Sequence, residues 1–332
     1  MPLVGTFGSG ASRAFGFTSG ADLLSVEYLV VAGGGGCNPT IYAGRAAGAG
    51  GFRTSVSGAT SGGGGSAEPP FEAEYGTSYT VTVGAGGPAN STIDLSYTQQ
   101  GANGQGVDSV FATITSLGGG AGTYFSDDVN PPSDPTPGVN MDDGGSGASG
   151  PDFPAPATQT GQGTPGQGFP GGFNVVAGNG GGGGAGQIGL NGGLDSPTTN
   201  FFGGDGGDGV QSSINGSATY YAGGGGGGLW SYGNPTPAQG GGVGGLGGGG
   251  NGASSYTPTT ATAGGTNTGG GGGGSSGAPV APYMGKAGGS GIVVIRYEDS
   301  VPDATAVNGT KTTTPGYKVY TFTQSGSITF NK

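Results

Sequence analysis

The chain has 332 residues, of which 89 are glycine, 31% hydrophobic and only 8% charged, with a net charge of −11 and a pI near 4.1. Eight Lys and Arg against 19 acidic residues exclude the basic stripe of a nucleic-acid binder and the polybasic surface that anionic membranes attract. One cysteine excludes an internal disulfide framework, and the absence of histidine excludes Ser-His-Asp and Cys-His nucleophile pairs and the common zinc sets.

Residues 1–25 carry Phe7, Phe15 and Phe17 among Gly and Ser, then Ala21-Asp22-Leu23-Leu24. The segment has no periodicity and is expected to be an arm that anchors the chain to a partner, the alternative being a frayed end. Met1-Pro2-Leu3-Val4-Gly5 has neither a basic nor an apolar leader region, so no signal peptide is expected, and no apolar run reaches membrane-spanning length.

Residues 26–122 repeat one module, a short strand followed by glycines. Tyr28-Leu29-Val30-Val31-Ala32 leads into 33–36, Tyr79-Thr80-Val81-Thr82-Val83 into Gly84-Ala85-Gly86-Gly87, and Val110-Phe111-Ala112-Thr113-Ile114-Thr115 into 118–120. The first is apolar on both faces, as a central buried strand requires. The second alternates, with Tyr79, Val81 and Val83 on one face. Phe71-Glu72-Ala73-Glu74-Tyr75 is a weaker strand ended by Gly76. Glu72 and Glu74 could form a carboxylate pair for glycoside cleavage, but two acids on one strand face read better as a solvated edge. No enzyme activity is expected.

Residues 123–172 read as an irregular acidic insertion, with Asp127-Asp128, Asp134, Asp142-Asp143 and Asp152 among Pro131-Pro132, Pro135, Pro137, Pro154 and Pro156. Residues 173–291 are the dense glycine region. Phe173-Asn174-Val175-Val176-Ala177 precedes the tract 178–186, and Ala218-Thr219-Tyr220-Tyr221-Ala222 precedes the pure run 223–228. Loops are expected at 187–202, 229–239, 251–263 and 275–287. Glycine loses more conformational freedom on folding than any other residue and has no side chain to bury. Such tracts are ordered only if their backbones satisfy one another. The polyglycine II form, an extended threefold helix rising about 3.1 Å per residue with its amides pointing outward, allows that, because helices without Cβ atoms can lie side by side.

Residues 292–332 bring a second strand apolar on both faces, Ile292-Val293-Val294-Ile295-Arg296-Tyr297, expected to pair with Tyr28–Ala32. A terminal hairpin is expected from 317–323 and 328–330 about a turn at Gln324-Ser325-Gly326-Ser327. The expected fold is all-β: a β-sandwich from N- and C-terminal strands plus packed polyglycine II helices, with no significant α-helix.

Two further motifs bear on chemistry. Gly203-Gly204-Asp205-Gly206-Gly207-Asp208-Gly209-Val210-Gln211 fits the calcium-binding nonapeptide pattern, with Asp205 and Asp208 as ligands. That site needs stacked copies, and the next nine residues do not repeat it, so no metal and no cofactor is expected. Gly285-Lys286-Ala287 lacks the Ser/Thr and upstream glycine of a phosphate-binding loop. The aromatic residues of the loops are the binding candidates: Trp230 and Tyr232 beside Asn234, Tyr256, Tyr283, and Phe201 with Phe202. Large amphipathic rings suit contact with glycans or protein loops; they equally suit capping the ends of glycine layers.

Taken together, Glu27-Tyr28-Leu29-Val30-Val31-Ala32-Gly33, Gly50-Gly51-Phe52-Arg53-Thr54, the Tyr79–Gly87 module and Gly288-Gly289-Ser290-Gly291-Ile292-Val293-Val294-Ile295-Arg296-Tyr297 resemble glycine-rich tail-fibre and virion-appendage proteins of bacteriophages, especially marine and cyanobacterial ones. The dense half is similar to tip adhesins of T-even-like phages, in which glycine helices pack into a sandwich and the loops between them touch a host receptor. The resemblance implies a virion protein whose partners are a host glycan or outer-membrane protein and other virion proteins, with assembly as a homo-oligomer such as a trimer, and without nucleic acid or membrane insertion. The rival expectation is a capsid decoration, head fibre or connector without receptor binding. An ice-binding glycine-helix bundle is a third, disfavoured by the irregular Pro-rich loops.

Overall fold

The computed structural model describes residues 22–37, 44–89, 104–122, 143–150, 160–174, 178–195, 200–229, 240–255, 259–276 and 284–332. None of them is α-helical. The strands are β1 (Leu23–Val31), β2 (Phe52–Thr54), β3 (Phe71–Glu74), β4 (Ser78–Thr82), β5 (Ser109–Phe111), β6 (Ile114–Ser116), β7 (Gly193–Asp195), β8 (Asn200–Phe202), β9 (Val210–Ser212), β10 (Thr219–Tyr221), β11 (Ile292–Glu298), β12 (Thr305–Thr314) and β13 (Tyr317–Thr329).

Strands from the two ends of the chain join in one nine-stranded sheet, ordered β2-β1-β11-β13-β4-β5-β6, with β12 on β13 and β3 on β1. The expected pairing of the two strands that are apolar on both faces is observed: β1 and β11 run antiparallel with Leu29 opposite Val294 and Val30 opposite Val293. The sheet curls over its own core. Tyr28 of β1 faces Phe111 of β5 with ring centroids 6.2 Å apart, although the two strands are not neighbours in the sheet. Val26, Tyr28, Val30, Val293, Ile295, Tyr320, Phe322 and Ile328 fill this core, and each buried side chain of this size contributes roughly 1.5–3 kcal/mol. The alternate residues of the same strands, Leu29, Val31, Ile292 and Val294, point the other way and pack with Ala49, Phe52, Ala185, Ile214 and Ala222. That second cluster joins the sheet to the glycine tracts.

Three local expectations are corrected. The 110–115 stretch is not one strand but a hairpin of β5 and β6, turned at Ala112 with φ +52°. The terminal hairpin turns instead at Pro315-Gly316, between β12 and β13, with Gly316 at φ +81° as a type II turn requires. Residues 324–327 continue β13, with Gly326 opposite Val81. Leu23–Ser25, placed in the N-terminal arm by sequence, open β1 and pair with β3.

The glycine tracts form the expected lattice. Along 222–229 each successive amide turns to a different neighbour, and every third returns to the same one. Gly223, Gly226 and Leu229 donate to Gly247, Gly250 and Ala253; Gly224 and Gly227 donate to Gly207 and Gly204; Gly225 donates to Ala47. The carbonyls of the segment accept from 179–185, 242–245 and 271–274. One segment is thus surrounded by six, and its own amides donate over 2.7–3.1 Å. None of the glycines in 33–36, 178–186, 203–209, 223–228 or 270–274 has a positive φ; Gly269, at the turn before the last of these, has φ +71°. This is the threefold polyglycine II arrangement.

The lattice is larger than the dense region. It includes 32–37, 44–51, 84–87, 104–107 and 118–122 from the N-terminal part, and 284–291. Within the stretch expected as an acidic insertion, 144–150 and 161–172 also run through it, because Gly144-Gly145-Ser146-Gly147-Ala148-Ser149-Gly150 is small enough to pack there. The loops expected at 187–202, 251–263 and 275–287 are in part lattice too: Leu190 donates to Asp205 and Ala253 to Gly274.

Candidate functional site

The chain threads the lattice up and down. Ala222 packs beneath the sheet against the cluster of Leu29 and Val31. Leu229, at the other end of that segment, stands roughly 22 Å away at about 3.1 Å per residue. At Leu229 the ends of other segments meet. Leu229 bridges Gly178 and Ser254, Ser254 bridges Thr259, and Phe202 bridges Gly240. Gly44 donates to Ser275, whose carbonyl lies where a Cβ on Gly228 would stand.

These ends are the roots of the segments that carry the predicted binding residues. Trp230, Tyr232, Tyr256 and Tyr283 themselves lie outside the described residues. Their described flanks do not lie apart: Leu229, Gly240, Ser254, Thr259 and Ser275 belong to one far end of the lattice. Phe201 and Phe202 are on β8, half-buried, paired with β7. The Phe202 ring lies over Gly193, where a Cβ would be 2.6 Å from it.

Asp205 and Asp208 take a different role from the one the nonapeptide pattern implied. The segment 203–209 donates from Gly203, Gly206 and Gly209 to Gly240, Val243 and Leu246, and from Gly204 and Gly207 to Asn179 and Gly182. The remaining third of the residues, Asp205 and Asp208, faces outward. Each carboxylate bends to the next segment: Asp205 Oδ1 accepts from the Val243 amide at 2.7 Å and Asp208 Oδ1 from that of Leu246 at 2.8 Å. The three-residue interval that resembled a calcium loop is the period of the helix. Among the described residues no three His, Cys, Asp or Glu side chains gather to hold a metal ion.

The same device recurs at other margins, and sequence reading missed it. Asp108 Oδ1 accepts from Gly118, Asn191 Oδ1 from Phe173, Asn251 Oδ1 from Gly244 and Gln167 Oε1 from Leu117, all at 2.8–2.9 Å. The available signal was an Asp, Asn or Gln placed where a glycine segment would otherwise leave an amide unmet.

Other titratable groups are structural. Cys37 is fully buried; its thiol donates to the Gly272 carbonyl at 3.1 Å, and burial pushes it up to about 12, so it is no nucleophile. Burial first, then the hydrogen bond to Glu68, holds the Tyr28 phenol above its ordinary range. Glu72 and Glu74 lie exposed on β3. Arg45 is buried in the lattice at 2% exposure, a position its sequence context did not signal.

A family model described as a glycine-rich domain matches residues 9–298. No curated protein and no solved structure matches the chain.

Proposed function

The chain belongs to the glycine-rich domain family, and we propose that it is a non-enzymatic structural protein of a bacteriophage virion, a tail-fibre or tip adhesin that meets a host surface receptor. The observation that carries this reading is the convergence of loop roots at one end of the lattice, opposite the sheet. Trp230, Tyr232, Tyr256 and Tyr283 follow or precede those roots in sequence. Rings presented on a framework that is already ordered lose little freedom on binding, which favours affinity from a small contact. The resemblance to phage appendage proteins supplies the virion setting and the receptor class, a glycan or an outer-membrane protein.

A second reading, a virion decoration or connector protein without receptor binding, is favoured by one observation. Ile188, Leu190, Val243 and Leu246 are exposed on the flank of the lattice, and apolar side chains in such company suit contact with another virion protein. Adsorption competition separates the two. Purified protein, added to host cells before phage, is expected to slow adsorption, and a Trp230→Ala, Tyr232→Ala variant to slow it less. Adsorption unaffected by saturating protein would sink the adhesin reading and leave the decoration reading.

A further inference from the structure

A lattice of this kind has no intrinsic edge. An outer glycine segment is chemically the same as an inner one, and its outward amides would accept another glycine segment as readily as the inner ones do. In this chain the outward third of the outer residues is not glycine. It is Asp205 and Asp208 on 203–209, and Val243 and Leu246 on 240–246, while the inward Gly204, Gly207, Gly242 and Gly245 are buried. Val243 is 60% and Leu246 55% exposed. The side chains at these positions do two separate things. Their Cβ atoms hold any further segment beyond lattice distance: inside the lattice a Cβ on Gly226 would stand 2.0 Å from the Gly242 carbonyl. The two carboxylates also occupy the Val243 and Leu246 amides that a further segment would use.

We propose that Asp205, Asp208, Val243 and Leu246 terminate the lattice, and that the flank they cover is a latent self-association face, whose occupant on unmasking is the same flank of a second copy of this chain. Only a side-chain-free segment fits at lattice spacing, and a second copy unmasked at the same four positions supplies one in the same register of three. This is the glycine-lattice counterpart of the charges that blunt the open edge of a β-sheet. It stands independently of any receptor.

The test replaces the four residues with glycine in the full chain (D205G, D208G, V243G, L246G) and compares sedimentation velocity with the parent. The unmasked variant is expected to form a species of twice the parent mass in a concentration-dependent manner. Sedimentation identical to the parent overturns the proposal. Should the variant fail to fold, the milder pair D205A, D208A decides by amide exchange. Val243 and Leu246 are expected to exchange at least about tenfold faster than in the parent, as the loss of a charge-assisted hydrogen bond implies, whereas D205N, D208N, which loses the same charge but keeps an acceptor oxygen, exchanges within about threefold of the parent. Equal exchange in the Ala and parent proteins, or equal acceleration in the Ala and Asn pairs, overturns it.

Discussion

At Cys37 a single thiol reports on the interior of the lattice. The side chain is buried, and its donor meets the Gly272 carbonyl. Ionising it there would place a thiolate among carbonyl oxygens, so burial raises it from 9.0 to about 12. The sign of the linkage follows. Below pH 9 both folded and unfolded chains hold the proton, and the contribution to stability is complete. Between 9 and 12 the unfolded chain releases the proton while the folded chain keeps it, so stability falls with rising pH by about 1.4 kcal/mol per unit. Denaturant unfolding measured from pH 8 to 10 is expected to show this decline in the parent and a flatter profile in Cys37→Ala, and the difference between the two isolates the thiol from the tyrosines, whose ordinary value is 10.0. A native thiol that reacts with a disulfide reagent as fast as a free cysteine would contradict the burial.

At the scale of strands, the backbone pairing of β1 with β2 is reinforced by one carboxylate. Glu68 Oε1 and Oε2 accept from Arg53 Nε and Nη2 at 2.7 and 2.6 Å, and Oε2 also accepts from the Tyr28 hydroxyl at 2.8 Å. A two-pronged guanidinium–carboxylate pair is the strong form of such contact. Since both side chains retain about a quarter of their exposure, Glu68→Ala is expected to cost about 2 kcal/mol and Tyr28→Phe about 1. The double variant should cost less than the sum, because both act through one group; strict additivity would show that the network is not coupled. These strands also show what sequence can reveal. β1 and β11 were legible because both carry apolar residues at odd and even positions, which only a strand covered on both sides tolerates. The β5–β6 hairpin was not, since Ala112 at φ +52° stands where Gly or Asn would have announced the turn. Ser325-Gly326 misled in the opposite sense. Within β13, position 326 is glycine because a Cβ there would meet the Val307 carbonyl at 2.0 Å, and a glycine kept for close approach reads in sequence as a turn. Of the candidate site, the lattice was legible from glycine runs, but not every place where its segments end, since Leu190, Ala253 and Lys286 lie in stretches read as loops and bond within it. The role of Asp205 and Asp208 was not, because a period of three in a glycine tract matches a calcium loop as well as a helix.

For the whole molecule, the lattice ties together stretches distant in sequence, and its energetics are collective. Each ordered residue costs roughly 1–2 kcal/mol of backbone entropy, whereas a hydrogen bond contributes about 0.5–1.5 kcal/mol net. A lone glycine segment is therefore unstable, and segments persist by bonding to several neighbours at once. Gly225 shows the consequence. Its amide donates to Ala47 and its carbonyl accepts from Gly182, while a Cβ would stand 2.0 Å from the Gly272 carbonyl. With neighbours on every side, the segment cannot shift to relieve that overlap without breaking bonds to others. Gly225→Ala is accordingly expected to destabilise by more than about 3 kcal/mol. Gly76, at φ +78° with open space around its Cβ position, offers the comparison: Gly76→Ala should cost only about 1–2 kcal/mol of backbone strain. The decisive readout is amide exchange. In the Gly225 variant the amides of 44–51, 178–186 and 269–276 should lose protection together, while the β1–β11 pairing keeps more of its own. Loss confined to residues adjoining 225 would mean that the segments are held independently, and that no stiff framework carries the loops.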